Sequence, residues 1–273
     1  MQEDMKSFGV FFIGAGMMGG SMVRSLIRGN AFGPDQIGCC SAKDGTAEKL
    51  AKETGIAVVD FDEGHPPSTH VLVLACKPQQ LAALSPTITE GFKDALLISI
   101  LAGTPISKIR NRFPTARAIV RAMPNTPGSI GAGITAWASD QPLSPEDASA
   151  VATVLRSLGE VIHTQESELD AVTAISGSGP AYLFLFTEAL EKAAREFGFD
   201  EATALKLARQ TMIGAAKLMS ESPLHPSELR RQVTSPGGTT QAAVGSFEQG
   251  GLHDLVRSAA QAAHARSIEL SKL

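Results

Sequence analysis

The sequence predicts an α/β protein in two parts, a doubly wound and mostly parallel sheet followed by an all-helical region. Three observations carry this. Short apolar runs at 8–13, 37–41, 70–75, 95–100 and 116–121 alternate with amphipathic stretches, as parallel sheets covered on both faces require. Residues 14–19 read Gly-Ala-Gly-Met-Met-Gly, directly after the first run and at the opening of a helical pattern. Beyond Glu166 the strand signals vanish and alanine-rich helical periodicity fills the rest.

The elements follow in order. Strands are expected at Phe8–Ile13, Ile37–Ser41, His70–Ala75, Ala95–Ile100 and Ala116–Arg121, then at Gly131–Ala138 and Glu160–His163. Helices are expected at Met17–Arg28, Lys43–Glu53 and Pro105–Arg112. A further one opens at Ser144-Pro145-Glu146-Asp147, where a capping hydroxyl, a first-turn proline and two acids coincide, and stops at Gly159. The second half reads as Pro180–Phe197 ending at Gly198, an Asp200-capped helix to about Ser220, then Pro226–Val233, Thr239–Glu248 and Leu252–Leu273. The domain boundary falls near Gly159–Ser167, giving domains 1–162 and 163–273. The helices of the second domain are apolar on more than one side, which calls for a neighbour: the first domain, or a second copy of the chain.

Composition excludes several classes. With 43% hydrophobic and 19% charged residues, the chain has the balance of a globular protein. A net charge of −4 argues against a nucleic-acid or membrane-surface binder. The uncharged stretches 7–23 and 122–139 are broken by glycines or prolines, so neither reads as a leader or a spanning helix. Three cysteines, Cys39, Cys40 and Cys76, make no disulfide framework and suit the cytoplasm. His65, His70, His163, His225, His253 and His264 show no metal-ligand spacing, and no metal is expected.

The glycine loop points to a dinucleotide. Gly14 allows the tight turn, Gly16 lets the pyrophosphate approach the backbone, and Gly19 lets helix and strand pack closely, with Ala15, Met17 and Met18 between them. The helix start offers unpaired N–H groups to the phosphates. At the end of the second strand an NAD site places an acid for the ribose 2′-hydroxyl. Here the chain reads Cys40-Ser41-Ala42-Lys43. A hydroxyl and a cation at Ser41 and Lys43 suit a 2′-phosphate, so NADPH is expected over NADH, which would be used less well. The plainer alternative is that both residues only start a helix.

Four further segments carry a family resemblance. They are Ala75-Cys76-Lys77-Pro78-Gln79, Arg121-Ala122-Met123-Pro124-Asn125-Thr126-Pro127, Ser176-Gly177-Ser178-Gly179-Pro180-Ala181-Tyr182 and Val233-Thr234-Ser235-Pro236-Gly237-Gly238-Thr239-Thr240. In this order and spacing the chain resembles the pyrroline-5-carboxylate reductases. The resemblance implies an N-terminal Rossmann domain, a helical dimerisation domain, and NADPH-dependent reduction of the C=N bond of 1-pyrroline-5-carboxylate to L-proline. It implies that Ala75, Cys76, Lys77, Pro78, Ile100, Leu101, Ala102 and Asn125 line the cofactor, that Thr240 hydrogen-bonds the imine nitrogen as the catalytic contact, and that Glu166 and Gln232 lie at the substrate end. Pro236-Gly237-Gly238 also reads directly as a break between two helices. The amides around Ser235, Gly237, Gly238, Thr239 and Thr240 could then hold a small carboxylate; the alternative is an ordinary helix–helix turn. The chain departs from the family at Met17, where many relatives have asparagine, at Asp60-Phe61-Asp62, and at Gln241-Ala242-Ala243-Val244.

Other chemistry is disfavoured. A lysine in the helical domain would suggest hydroxyacid dehydrogenases, but Ser176–Pro180 carries none. Ser178 sits in no G-x-S-x-G turn. Two alternatives stay open: a reductase of another cyclic imine carboxylate, and a non-catalytic NADPH-binding regulator. The partners expected are a small-molecule substrate and further copies of the chain through the helical domain, with no nucleic acid and no membrane.

Overall fold

The computed structural model describes residues 7–42, 44–61 and 66–272. Lys43, Asp62 and His65, all singled out above, lie outside the described residues. Eight strands form one sheet: β1 (Ser7–Ile13), β2 (Ile37–Cys40), β3 (Ala57–Val58), β4 (Ser68–Leu74), β5 (Leu96–Ser99), β6 (Ala118–Met123), β7 (Gly133–Ser139) and β8 (Gly159–His163), in the order β3-β2-β1-β4-β5-β6-β7-β8. Neighbours run parallel except β6 and β7. The link between those two holds one 3-10 turn at Thr126–Ile130 and no crossover helix. A parallel return needs a longer crossover, so this pair is antiparallel.

Alternation along β1 shows why the strand runs are continuously apolar. Val10 and Phe12 enter one core with Met22, Leu26, Val151 and Leu155, while Phe11 and Ile13 enter another with Leu72, Leu97, Ile109 and Phe113. Both faces are covered, so Val10–Ile13 is continuously apolar and buried. Each such side chain contributes about 1.5–3 kcal/mol by burial.

The helices of this part are α1 (Met17–Arg28), α2 (Thr46–Thr54), α3 (Pro86–Gly91), α4 (Ile106–Arg112) and α5 (Pro145–Arg156). Ser144 caps α5, its hydroxyl accepting the Asp147 N–H at 3.1 Å, as the sequence predicts. The helix expected from Lys43 starts three residues later, because Asp44 and the left-handed Gly45 make its entry turn. Among the strands and helices of this part, β3, only two residues long, and α3, which is six, escaped the sequence reading.

After β8 come α6 (Leu169–Val172), a π-helical run at Thr173–Gly177, and then α7 (Gly179–Glu196), α8 (Glu201–Glu221), α9 (Pro226–Gln232), α10 (Thr239–Gln249) and α11 (Leu252–Lys272). The contacts divide the chain into two compact units, Met1–Ser178 with Ala263–Leu273, and Gly179–Ala262. Within the second unit α7 packs on α8 and Phe186 meets Phe247. No residue of α7 is buried in the single chain, and Leu183, Phe184 and Leu185 are more than half exposed. The run Glu166–Glu196 is long and apolar enough, by length and composition, to cross a membrane. The exposed apolar face of α7 calls for a further neighbour besides α8.

Candidate active site

The sheet's C-terminal edge is drawn together by backbone bonds between strand exits. Gly14 donates to Cys40 O at 2.8 Å, Ala75 to Ile13 O at 2.8 Å, and Ile100 to Leu74 O at 3.0 Å. The segments predicted to line the cofactor therefore share one edge, where open α/β sheets bind ligands. At Gly14, φ is +107°, and a Cβ would lie 2.5 Å from the backbone of Ala75 and Cys76. A Cβ on Gly19 would come within 2.6 Å of Gly14 O. Protein packing alone thus requires these two glycines. Gly16 differs, since a Cβ there would meet nothing within 4 Å. Among the described residues nothing demands a glycine at 16, and the space beside it lies at the N-cap of α1. The residues therefore fit a dinucleotide, whose pyrophosphate would fill that space and take the N–H groups of the first turn.

The other predicted positions divide by exposure. Met17 is 82% exposed, whereas Met18 packs on the core and Ala15 is buried. Leu101 is buried. Ala102, Lys77 and Pro78 are exposed. Burial pushes the thiols of Cys39 and Cys76 up to about 11 and raises that of Cys40 as well. Such thiols stay protonated and unreactive.

At the exit of β2 the Ser41 hydroxyl donates to Ala42 O at 2.9 Å. It also lies 3.4 Å from Asp44 Oδ1. That same oxygen accepts the N–H of Thr46 at 3.0 Å and its hydroxyl at 2.6 Å. The Thr46 donors, with Ser41 adding to them, hold the Asp44 carboxyl below the usual carboxylate range. The sequence reading passed over Asp44, although an acid three residues from Ser41 was there to be seen.

Asn125, 9% exposed, is committed on both sides of its amide. Its Oδ1 accepts the Ile134 N–H at 3.0 Å, and its Nδ2 donates to Ser176 O at 3.2 Å. The regular α-helical donor to Ser176 O would be residue 180, which is proline and has no N–H. The π-turn at this point is closed instead by Ser178 N–H on Thr173 O at 2.8 Å. Neither the π-turn nor this role of Asn125 was foreseen.

Glu166 is likewise engaged within the protein. Its Oε1 accepts the N–H of Ile106 at 2.7 Å, at the start of α4. It also lies 3.4 Å from Arg121, whose guanidinium is 7% exposed and reaches Asp170 at 3.5 Å. Asp170 accepts the Ser267 hydroxyl at 2.7 Å. Arg121 belongs to the quoted family segments but was given no role from sequence. Here it compensates two carboxylates, as a buried cation must be compensated.

In the other unit, residues 233–238 form a turn between α9 and α10. Gly237, at φ +71°, donates its N–H to Gln241 Oε1 at 2.6 Å, and Gly238 donates to Ser235 O at 3.1 Å. Those two amides are occupied. Thr239 and Thr240 open α10, where N–H groups have no carbonyl in the preceding turn. Gln232 and Ser235 are exposed and Thr240 is half-buried.

Comparison with known proteins agrees with this layout. Residues 166–270 match the family model for pyrroline-5-carboxylate reductase dimerisation, and residues 9–103 match one described as NADP oxidoreductase, coenzyme F420-dependent. The chain is 38% identical to the pyrroline-5-carboxylate reductase of Synechocystis over 95% of its own length and 97% of that protein's. It is 37% identical to that of Pseudomonas aeruginosa over 96% and 97%. Among solved structures, the Coxiella burnetii reductase superposes with a TM-score of 0.88 at 34% identity, covering 97% of this chain and 99% of the other. The Plasmodium falciparum reductase, solved with NADP bound, gives 0.81 at 26% identity, covering 98% and 99%. With identity well above 30% along almost its whole length, the chain belongs to the pyrroline-5-carboxylate reductase family.

Proposed function

We propose that this chain reduces 1-pyrroline-5-carboxylate to L-proline with NADPH, as an oxidoreductase acting on a C=N bond. The observation that carries the reading is the near full-length likeness to reductases of that name, joined to an open cradle at Gly16 that packing within the chain does not explain. The domains assigned are 1–162 for the cofactor and 163–273 for substrate and dimerisation.

Gly14–Gly19 would hold the pyrophosphate, Ser41 and Lys43 the 2′-phosphate, and Ala75–Pro78, Ile100–Ala102 and Asn125 the nicotinamide half. When bound, the nicotinamide supplies the hydride that adds to the imine carbon. The chain's own task is then to orient the substrate. A protonated cyclic imine needs no strong base, only a fixed geometry, a hydrogen bond at nitrogen and exclusion of water. The N–H groups of Thr239 and Thr240 would anchor the substrate carboxylate, with Ser235, Gly237 and Gly238 shaping the turn. Thr240 Oγ1 would orient the ring nitrogen. Gln232 lies near that turn in sequence. Glu166 is assigned to the substrate end through its hold on α4 and Arg121.

Oligomerisation is the property named by the family model for 166–270. We place the interface on the uncovered apolar faces of α7 and α8, and the enzyme in the cytoplasm, with no nucleic-acid or membrane partner.

The test is loss of NADPH absorbance with and without pyrroline-5-carboxylate, using Gly16→Trp to exclude background. Thr240→Ala should lower kcat by roughly 10- to 1000-fold if its hydrogen bond strengthens in the transition state. Unchanged kinetics remove Thr240 from the mechanism. Equal turnover of a six-membered imine carboxylate would widen the substrate class.

A further inference from the structure

We propose that Asp44 sets the balance between the two nicotinamide cofactors, giving NADH a foothold and holding NADPH below the affinity that Ser41 and Lys43 would otherwise confer. The proposal rests on the assignment of the adenosine end of the cofactor to the exit of β2.

In this sheet architecture the adenosine ribose comes to rest just past the second strand. An acid there accepts a hydrogen bond from the ribose 2′-hydroxyl and repels a 2′-phosphate. The residue directly after β2 is Ser41, not an acid, which by itself selects the phosphate. The backbone then loops, and Asp44 brings a carboxylate back to 3.4 Å from the Ser41 hydroxyl. Two donors converge on its Oδ1, Thr46 N–H and Thr46 Oγ1–H, and the Ser41 hydroxyl lies 3.4 Å from the same oxygen. These are the kinds of donor a phosphate monoester seeks at a helix entrance. A resident monoanion already holds them.

Two consequences follow. An incoming 2′-phosphate must displace the carboxylate from its donors or lie beside its charge. A 2′-hydroxyl meets no such conflict, since it can donate a hydrogen bond to the Asp44 carboxylate. The depressed carboxyl of Asp44 means that the anion is present throughout the neutral range, so the effect does not depend on pH there. A purely architectural role, closing the turn into α2, would leave the choice between cofactors untouched.

The measurement is equilibrium binding of 2′,5′-ADP and of 5′-AMP to the intact protein, by calorimetry, for the wild type, Asp44→Asn, Asp44→Ala and Ser41→Ala. Asp44→Asn keeps an acceptor for Thr46 and so preserves the turn. It should tighten 2′,5′-ADP by roughly fivefold and weaken 5′-AMP, raising the ratio of the two affinities about tenfold, as expected for one exposed charge facing a dianion. Asp44→Ala should move the ratio in the same direction. A ratio within twofold of wild type in both Asp44 variants, with Ser41→Ala still weakening 2′,5′-ADP, overturns the proposal and leaves the cofactor site standing. A ratio unmoved by all three variants overturns the placement of the ribose, and the proposal with it.

Discussion

Replacing Asn125 by alanine tests whether this side chain holds the π-turn to the sheet. The wild-type amide satisfies two main-chain groups at once, the Ile134 N–H at 3.0 Å and the Ser176 carbonyl at 3.2 Å, from a position 9% exposed. Proline at 180 denies Ser176 O its regular α-helical donor, so an i+4 bond cannot replace Nδ2 when it is removed. An orphaned buried polar group costs about 1–3 kcal/mol, and two such groups, each only partly buried, should cost about 2–4 kcal/mol together. Asn125→Asp divides the cost. It keeps the acceptor for Ile134 but turns a carboxylate oxygen toward Ser176 O, so it too should destabilise, by about 1–3 kcal/mol. The assay is urea unfolding followed by circular dichroism at one fixed protein concentration, since an oligomer's midpoint shifts with concentration. A loss under about 0.5 kcal/mol in Asn125→Ala would refute the reasoning. So would an Asn125→Asp protein as stable as wild type, which would show that the bond to Ser176 carries no weight.

Further outcomes are expected elsewhere. Gly14→Ala should lower thermal stability, because its Cβ would strike the Ala75 backbone and φ is +107°, whereas Gly16→Ala should leave the melting temperature unchanged and weaken NADP binding at least tenfold. Equal melting temperatures for the two variants, or unaltered binding in Gly16→Ala, would contradict the cradle. Arg117 holds the Asp147 carboxyl below its usual range, at 2.7 Å, with Asp147 90% shielded from solvent. A depressed carboxyl contributes stability that is complete above its unfolded pKa, near 3.9, and is lost as pH falls through the folded value. Arg117→Met should therefore cost about 1–3 kcal/mol near pH 7 and progressively less below about pH 4. A stability gap that does not shrink on acidification would discount the pair.

Much of the fold was legible in the residues because its signals are local. The helix Met17–Arg28 was placed to the residue, and the caps at Ser144 and Asp200 act as their side chains suggest. Strand ends shifted by one or two positions, since where pairing stops depends on the adjacent strand. The two-residue β3 has too little alternation to announce itself, and it is a strand only because Ala57 and Val58 lie beside Gly38 and Cys39. The antiparallel turn of β7 came from a short link whose geometry the apolar pattern does not encode.

The candidate site divides along the same line. Its motif glycines, the threonines of the 233–240 turn and the family membership follow from residue order, because backbone freedom and helix starts are written in a few consecutive positions. The partners are not. That Gly237 gives its amide to Gln241, that Asp44 faces Ser41, that Glu166 and Asp170 share Arg121, and that Asn125 serves a carbonyl orphaned by Pro180 depend on which groups the folded chain brings within 3 or 4 Å. A hydrogen bond or a charge contact falls off over ångströms, and only packing in three dimensions decides which of many possible pairs reaches that range.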